Sequence, residues 1–584
     1  MGAARSQGHR PPESSHRSCT RFMPGPWQEV IMKQLPIMNG AVSPAVRDEI
    51  LGTKRRPVVL IGFQNQGNLG IGYLASTLRK NGYEVEVIDF EIDPDLILER
   101  VKFLDPILVG FSLIFQFYIT QFSSLIDKLR DGGIACHFTM GGHFPSLSYE
   151  EALAHAPNLD SVVRFEGELT LLELVETLHR DDDWRGLQGI AYRQTDGSIV
   201  CNTLRPLIES LDILPLPDRE FKPMSILGHD IMPLIASRGC SRKCSFCSIH
   251  TFYRAVPGKI VRLRQIKNVA DEMRQLYEER DSKIFLFQDD DFPIVGPMWR
   301  KWTLSFVDEL YRQDLVGKII FKINCRADVV ETELFEILRD AGLYLVYMGL
   351  ESGSEEGLEV LNKGLSVEQN LNAVNTLKSI GVMFQYGFML FDPSSTFNSV
   401  RENLDFLRTI TRDGDLAATF CRMLPYDGTA VKDQLAAEGR LRGDVTNPDY
   451  DFLDDRLDGF FREITETLNM VGWIHGVRSL SPKLDWAWHE VAVTQHMFTG
   501  VKGFGLYRDR LSAITKSANE MLFDLVEELS FAHEAGRPGK LDAERLDFEC
   551  HELTNKLLAT RNEFVLSNQA TMLKVLGVEE VETV

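Results

Sequence analysis

The sequence lacks long hydrophobic runs. No window approaches eighteen uninterrupted apolar residues, although apolar residues make up 44% of the chain and charged residues 25%. A helix that crosses a bilayer needs about twenty such residues, so we predict no membrane span. At 584 residues the chain is too long for one hydrophobic core. Its ordinary composition therefore predicts a globular protein of two to four domains.

Cysteine is scarce and mostly dispersed. Only three of the nine cysteines cluster, namely Cys240, Cys244 and Cys247. Small secreted domains that depend on disulfides are much richer in cysteine, and the first fifty residues contain no apolar run long enough for a secretory signal. We therefore expect a cytoplasmic protein with one metal site.

Positive charge is in deficit, since the formal net charge is −21. Binding to nucleic acid depends on neutralising phosphates with lysine and arginine, and no basic face in the sequence compensates for the acidic excess. The charge balance disfavours nucleic-acid substrates and leaves a small molecule as the expected substrate.

Strands and helices alternate over the first third of the chain. Short apolar runs at 57–62, 84–88 and 107–112 are typical of buried parallel strands, and amphipathic segments separate them. This alternation predicts a doubly wound parallel sheet. A β-hairpin that turns at Asp196-Gly197 and a proline-bearing linker follow.

A second β/α series begins near Met232. Its predicted strands are 233–237, 284–288, 319–324, 343–349, 384–390 and 417–424. Six β/α units predict a partial TIM-like barrel, whose chemistry would lie at the C-terminal ends of the strands. Beyond residue 445 the pattern turns helical, as in 508–535 and 543–560.

The expected fold class is α/β with a helical C-terminal region. We expect a disordered leader (1–55), a first α/β domain (56–185), a hairpin and linker (186–230), a partial barrel (231–445) and a helical C-terminal domain (446–584).

The cysteine cluster has the sequence Cys240-Ser-Arg-Lys-Cys244-Ser-Phe246-Cys247 and directly follows the first barrel strand. Three thiolates can bind three irons of a [4Fe-4S] cluster and leave the fourth iron open. The alternative is a closed zinc site completed by His250. Tetrahedral Cys/His sites usually consist of two separated ligand pairs, so the spacing favours the cluster.

This motif resembles the radical S-adenosylmethionine (SAM) superfamily, in which the open iron binds SAM and Phe246 belongs to the cluster loop. The resemblance implies further binding residues at the strand ends. Asp290 would face the SAM amino group, Arg326 would pair with its carboxylate and Glu351 would accept its ribose hydroxyls. The segment 425–429 resembles the Pro-x-x-Gly-Thr loop of that family.

The first domain resembles the cobalamin-binding (B12-binding) fold. Asn65-Gln-Gly67-Asn-Leu-Gly70 occupies the slot of an Asp-x-His-x-x-Gly motif, and Ser112-Leu-Ile114 and Gly141-Gly142 follow at similar intervals. Glycines at strand ends let backbone approach a large ring. The residues that the resemblance assigns to cobalamin are Asn68, Leu69, Gly70, Ser112, Leu113, Gly141, Gly142, His143, Gly167 and Glu168.

One departure from this pattern concerns the cobalt ligand. Gly67 stands where many cobalamin-binding proteins have the cobalt-ligating histidine, and Asn65 stands in the aspartate slot. The resemblance therefore implies cobalamin bound without a histidine on its lower face. A flavodoxin-like domain without any cofactor is the alternative.

Together the two resemblances imply a cobalamin-dependent radical SAM enzyme, and many members of this class are methyltransferases. Such an enzyme would transfer a methyl group to an unactivated carbon of a small molecule through a 5′-deoxyadenosyl radical. Flavodoxin or ferredoxin would be its electron donor. Cyclisation or rearrangement without net methyl transfer is one alternative, and a non-enzymatic cofactor-binding module is another. No catalytic residue is assigned from the sequence.

Overall fold

The computed structural model describes residues 55–64, 67–292, 296–475, 479–537 and 542–577. All of the predicted leader except Arg55 lies outside the described residues, as do Asn65 and Gln66. None of the described helices is both long enough and apolar enough to cross a membrane.

The first sheet has seven strands in the order β2-β1-β3-β4-β5-β6-β7. The strands are β1 (Val58–Gly62), β2 (Val85–Asp89), β3 (Leu108–Ser112), β4 (His137–Gly141), β5 (Ser161–Val163), β6 (Ile190–Arg193) and β7 (Ile199–Cys201). Strands β1 to β5 are parallel. The predicted hairpin forms β6 and β7, and it extends this sheet in the antiparallel sense at one edge.

Helices cover both faces of this sheet, which confirms the doubly wound prediction. They are α1 (Leu69–Lys80), α2 (Pro94–Leu104), α3 (Ile119–Asp131), α4 (His143–Leu147), α5 (Tyr149–His155) and α6 (Glu168–His179). Apolar residues of α1 and α6 pack against one face, and those of α2, α3 and α5 pack against the other. The strand order changes direction between β1 and β3, where sheets of this type bind ligands.

The second sheet also has seven strands, in the order β16-β15-β14-β13-β12-β9-β8. The strands of this region are β8 (Ser225–Ile226), β9 (His229–Leu234), β10 (Ser237–Arg238), β11 (Arg262–Leu263), β12 (Ile284–Phe287), β13 (Ile320–Cys325), β14 (Leu343–Glu351), β15 (Met383–Phe391) and β16 (Cys421–Arg422). Six of the strands in the sheet are parallel, and β10 and β11 form a separate antiparallel pair. The predicted partial barrel is therefore confirmed.

Period-two alternation decides which side chains enter the lumen of this barrel. Phe321 and Ile323 of β13 are buried against the outer helices, whereas Lys322 and Asn324 alternate with them and face inward. The outer helices are α7 (Ser248–Arg254), α8 (Ile266–Arg280), α9 (Gly296–Arg312), α10 (Thr332–Asp340), α11 (Glu355–Val360), α12 (Val367–Ile380), α13 (Phe397–Thr411) and α14 (Ala430–Ala437).

The sixth parallel strand, β16, is shorter than the predicted 417–424. The backbone at 417–419, just before this strand, forms hydrogen bonds with side chains instead of with the neighbouring strand. The Tyr386 hydroxyl donates to the Ala417 carbonyl (3.2 Å), and the amide of Ala418 donates to the side chain of Asn519 (2.8 Å). These contacts take the hydrogen bonds that a longer strand would have formed.

The C-terminal region is helical, as predicted, after the short hairpin β17 (Leu441–Asp444) and β18 (Asn447–Tyr450). Its helices are α15 (Asp455–Met470), α16 (Leu480–Met497), α17 (Phe504–Glu534), α18 (Ala543–Ser567) and α19 (Gln569–Val575). Trp473, Trp488 and Leu511 of this region belong to the same continuous hydrophobic core as the barrel strands. The C-terminal helices are therefore part of the barrel's packing.

A buried ionic triad joins the linker to the barrel. Glu272 of α8 accepts hydrogen bonds from Arg219 of the linker and from Arg264 (2.5 Å), and all three side chains are almost fully buried. Removing one partner of a buried ion pair leaves an uncompensated charge, which costs about 3–5 kcal/mol.

We therefore expect Glu272→Gln to lower the free energy of unfolding by about 3–5 kcal/mol, measured by urea denaturation. Glu278→Gln is the matched control, because Glu278 forms only a surface pair with Arg274 on the same helix, and such pairs contribute about 0–1 kcal/mol. Equal urea midpoints for the two variants would contradict a stabilising role for the triad.

Candidate active site between the two sheets

The cysteine loop connects β10 to α7, and the side chains of Cys240, Cys244 and Cys247 are all partly buried. Burial raises the pKa of the Cys240 thiol to about 12 and that of Cys247 to about 11. Both thiols would stay protonated at neutral pH unless a metal stabilised the thiolates.

Backbone and side-chain hydrogen bonds from later parts of the barrel hold the cysteine loop in place. The Ser245 amide donates to the Leu361 carbonyl (3.0 Å), and the Asn362 side chain donates to the Lys243 carbonyl (2.6 Å). The backbone amide of Val431, shortly after the Pro-x-x-Gly-Thr segment, donates to the Ser245 carbonyl (3.2 Å). Phe246 is half-buried and packs against the barrel core.

Three consecutive aspartates follow β12 and have different environments. Asp289 accepts from the Ala236 amide (3.0 Å), and Asp290 accepts from the Gly239 amide (2.9 Å). The two therefore hold the backbone that leads into the cysteine loop. Asp291 is also buried, yet neither of its carboxylate oxygens has a hydrogen-bond partner. Burial raises its pKa to about 6, although Arg242 and Arg326 oppose that shift.

Asp291 is a candidate that the sequence analysis missed. An unpaired buried carboxylate is costly, so this group is suited to receive a cationic donor from a ligand. The run of three aspartates was visible in the sequence, but nothing in it separated the one that lacks partners from the two that hold the loop.

Arg326 and Glu351 lie near the cysteine loop at the ends of β13 and β14. Arg326 donates to the Lys363 carbonyl (2.7 Å) and to Asp328 (3.1 Å), and its Nη1 is 3.9 Å from the Sγ of Cys244. Glu351 adopts a left-handed backbone conformation (φ 65°) and pairs with the Lys363 ammonium (3.0 Å). These residues therefore form one charged group beside the cluster loop.

A cavity of about 720 Å³ separates the first sheet from the barrel. Its walls include most of the residues predicted to bind cobalamin: Asn68, Leu69, Gly70, Ser112, Gly141, Gly142, His143, Gly167 and Glu168. Asp290 and Arg238 border it from the barrel side. Ile114 and Phe115 are 45% and 47% exposed and also line it, so the cavity suits a large ring with apolar faces.

Leu113 is the exception among these predicted residues, because it is buried and does not line the cavity. Its amide donates to the Gly141 carbonyl (2.8 Å) and thereby joins the ends of β3 and β4. Asn68 lines the cavity and also caps α1, since its side chain accepts from the Ile71 amide (3.1 Å).

The packing explains why glycine replaces histidine at position 67. Gly67 has a positive φ of 71°, and a Cβ atom there would lie 2.7 Å from Pro233 and 2.8 Å from Phe221. A histidine at this position would clash with β9 and with the linker. The departure from the usual motif therefore follows from the close approach of the barrel to the first sheet.

Buried ion pairs join the first domain to the β10–β11 hairpin at the rim of the cavity. Glu166 accepts hydrogen bonds from Arg262 (2.8 Å) and Arg238 (3.2 Å), and Glu168 accepts from Arg238 (2.6 Å). Burial disfavours the Glu166 carboxylate, but the two arginines outweigh this effect and lower its pKa. Arg238 and Arg262 lie on β10 and β11, so the contacts fix the hairpin from which the cysteine loop begins.

His143 makes a second connection across this interface. Its Nε2 lies 2.8 Å from the Ser248 hydroxyl, and its ring stacks on Phe252 at 4.5 Å. Ser248 begins α7 directly after Cys247. His143 therefore joins the first domain to the helix that follows the cysteine loop, and it also faces the cavity.

Comparison with known proteins agrees with this geometry. Residues 63–175 match the B12-binding domain model, and residues 234–407 match that of the radical SAM superfamily. An uncharacterised methyltransferase of Pyrococcus horikoshii is 28% identical over 386 residues, which cover 64% of this chain and 79% of the relative. The anaerobic magnesium-protoporphyrin IX monomethyl ester cyclase of Rubrivivax gelatinosus is 30% identical over 355 residues, 58% of this chain and 61% of the cyclase.

Two solved structures share the fold. The cobalamin-dependent SAM radical enzyme OxsB with aqua-cobalamin bound has a TM-score of 0.63 at 18% identity, covering 90% of this chain and 84% of that one. The radical SAM methyltransferase TsrM of Kitasatospora setae, with cobalamin and a [4Fe-4S] cluster bound, has a TM-score of 0.55 at 17% identity, covering 66% of this chain and 75% of that one.

The fold and the site therefore define a radical SAM enzyme that carries an N-terminal B12-binding domain. The chain belongs to the cobalamin-dependent radical SAM enzymes. The predicted cofactors of this class are confirmed as [4Fe-4S], SAM and cobalamin, and both the cavity and the half-buried cysteine loop fit them. The individual binding residues remain predictions.

We expect Glu168→Gln to lower the cobalt and iron content per chain together, because the change weakens the contact that fixes both the cavity rim and the cysteine loop. Metal analysis after anaerobic purification measures both. Glu176→Gln, a change at a partly exposed position on the same helix, is the control. Loss of cobalt with full iron content would show that the ion pairs do not support the cysteine loop.

Proposed function

We propose that this enzyme is a methyltransferase that acts on an unactivated carbon of a small-molecule substrate. Methyltransferases occur among its relatives, including the hopanoid C-3 methylase of Methylococcus capsulatus (23% identical over 369 residues). The observation that carries the proposal is that one cavity borders both the predicted cobalamin-binding loops and Arg238 and Asp290 at the base of the cysteine loop.

When bound, the cluster would supply the electron that cleaves SAM, and cobalamin would supply the methyl group. The chain's own residues position these groups. We assign cluster binding to Cys240, Cys244 and Cys247, whose raised thiol pKa values a metal would overcome. Ile114 and Phe115 offer apolar surfaces to a bound ring, and Gly67 contributes no imidazole to the cavity wall.

We assign SAM binding to the charged group beside the cluster loop. Asp291 offers two unpaired oxygens to the SAM amino group, and Arg326, whose Nη1 lies 3.9 Å from the Sγ of Cys244, would pair with the SAM carboxylate. Glu351, whose conformation is held by Lys363, would accept the ribose hydroxyls. In this assignment Asp290 shapes the loop through Gly239, and it does not receive the amino group.

Cyclisation or rearrangement is the second candidate function. The Rubrivivax relative is named a cyclase, and a 4′-phospho-dehydrooxetanocin synthase of Priestia megaterium is 24% identical over 364 residues. The two candidates differ in their products, because only methyl transfer releases S-adenosylhomocysteine.

We further propose that flavodoxin or ferredoxin donates the electron and that the enzyme works in the cytoplasm. The acidic net charge of −21 and the absence of clustered disulfide cysteines support that location. We also propose functional units at 56–185, 186–230, 231–445 and 446–584, with a leader at 1–55; the hairpin of 186–230 packs as part of the first sheet.

Metal content and product analysis test the proposed function. We expect about four irons and one cobalt per chain after anaerobic purification from cobalamin-supplemented cells. The Cys244→Ala variant should lose the iron and all reductive SAM cleavage, whereas Cys201→Ala, a change far from the loop, should keep both. Iron without cobalt, even after incubation with hydroxocobalamin, would rule out cobalamin-dependent methyl transfer. Zinc in place of iron would rule out radical chemistry.

The role of Asp291 is tested by SAM affinity. Asp291→Asn removes the charge that faces the amino group, so SAM should dissociate about 10–100 times more readily, which corresponds to the loss of a charge-assisted hydrogen bond. Equilibrium binding to the iron-loaded protein measures this change. Asp308→Asn, on the exposed face of α9, should bind SAM as the wild type does. Unchanged affinity in Asp291→Asn together with loss in Asp290→Asn would restore the sequence-based assignment.

A further inference from the structure

The lumen of the barrel contains a second charged group, far from the cysteine loop. The Lys322 ammonium of β13 donates to the side-chain Oε1 of Gln385 on β15 (2.7 Å). The side-chain Nε2 of Gln385 in turn donates to the carboxylate of Asp485 on α16 (2.8 Å). Lys322 and Gln385 are the third residues of their strands. The group therefore lies at the amino ends of the strands, opposite to the ends that carry the cysteine loop.

Helix α16 closes this end of the barrel. Tyr344, the second residue of β14, lies 2.8 Å from His489 of α16, and both side chains are buried. Asp485 lies one helical turn before His489 on the same face of the helix. A helix of the C-terminal region thus forms the floor of the lumen and contributes a carboxylate to it.

The lumen above this floor is open. Tyr347 is 39% exposed although it lies in the middle of a central strand. Asp485 is exposed as well. An exposed side chain on the inner face of a central strand indicates that the lumen is accessible there. Lys322 lies 5.7 Å from the Tyr347 ring.

The lumen leads from the floor to the predicted SAM site. Gly387 lies on the inner face between them, and a Cβ atom there would be 2.7 Å from the Tyr347 hydroxyl and 3.4 Å from Oε2 of Glu351. A molecule that rests on the floor would therefore extend past Tyr347 towards Glu351, where the radical is expected to form.

We propose that Lys322 and Asp485 bind a zwitterionic head group of the amino-acid type, with its carboxylate on Lys322 and its ammonium on Asp485. The Gln385 amide is already oriented by both neighbours, so it holds the two charges apart at a fixed spacing. The proposal rests on the proposed function only in taking the bound molecule to be the substrate.

Charge pairing selects this ligand class. Each of the two charged groups makes one hydrogen bond, to Gln385, among the described residues, and an ammonium group has three donors. A lone anion would face Asp485, a lone cation would face Lys322, and a hydrocarbon end would leave both charges without a ligand partner. A zwitterion pairs with both charges at once and keeps the floor neutral.

Four probes that share one hydrocarbon tail test the proposal: 2-aminohexanoate, hexanoate, hexylamine and 2-hexanol. Their binding to the holoenzyme is measured by saturation-transfer NMR, without turnover. We expect 2-aminohexanoate to bind saturably in the millimolar range and at least about tenfold more tightly than the other three, because each of them loses a charge-assisted contact.

The variants Lys322→Met and Asp485→Asn should each weaken 2-aminohexanoate binding at least about tenfold. Lys556→Met and Asp509→Asn, two exposed changes on the C-terminal helices, should leave it unchanged, and unaltered circular dichroism would show that the variants fold. Wild-type affinity for 2-aminohexanoate in either floor variant, tighter binding of hexanoate or hexylamine, or no saturable binding of 2-aminohexanoate would overturn the proposal. The proposed methyl transfer is judged separately from cobalt content and S-adenosylhomocysteine release.

Discussion

The rest of the active site depends on the buried ion pairs between the first domain and the barrel. Glu166 belongs to the turn before α6 and Glu168 is the first residue of that helix, whereas Arg238 and Arg262 lie on the two hairpin strands that precede and follow the cysteine loop. Charges removed from water must be paired, so this contact specifies one relative position of the two sheets. The cavity for one cofactor and the loop for another therefore share a single structural support.

The close approach of the two sheets also determines what the cavity can contain. Gly67 is packed against Pro233 and Phe221, which leaves no space for a larger side chain. The absence of histidine at this position is thus a consequence of the interface. His143 faces the same cavity, and it also connects the two domains, because its Nε2 lies beside Ser248 and its ring stacks on Phe252.

The C-terminal helices complete the barrel from the opposite end. Their apolar residues share one core with the strands, and α16 brings Asp485 to the floor of the lumen. A half-barrel alone is open at both ends, because its strands supply walls but no floor. The substrate class that we propose therefore depends on a region whose sequence carries no motif of either cofactor domain.

The sequence by itself determined the architecture and the chemistry class. Short apolar runs and the amphipathic helices between them predicted both sheets, because these patterns are local consequences of burial on one or both faces. The spacing of Cys240, Cys244 and Cys247 predicted the cluster loop for the same reason, since its geometry is contained within eight residues. The β16 strand was predicted too long because Asn519, which binds its neighbouring backbone, is about a hundred residues away.

Only the tertiary structure decided which polar residues serve the site. Asp289, Asp290 and Asp291 are equivalent in the sequence, but the folded loop gives hydrogen bonds to two of them and leaves the third unpaired. Lys322 and Asp485 are 163 positions apart in the chain and meet only through Gln385. Long-range pairing of this kind depends on how the strands curl and where the last helices pack, and no local pattern encodes it.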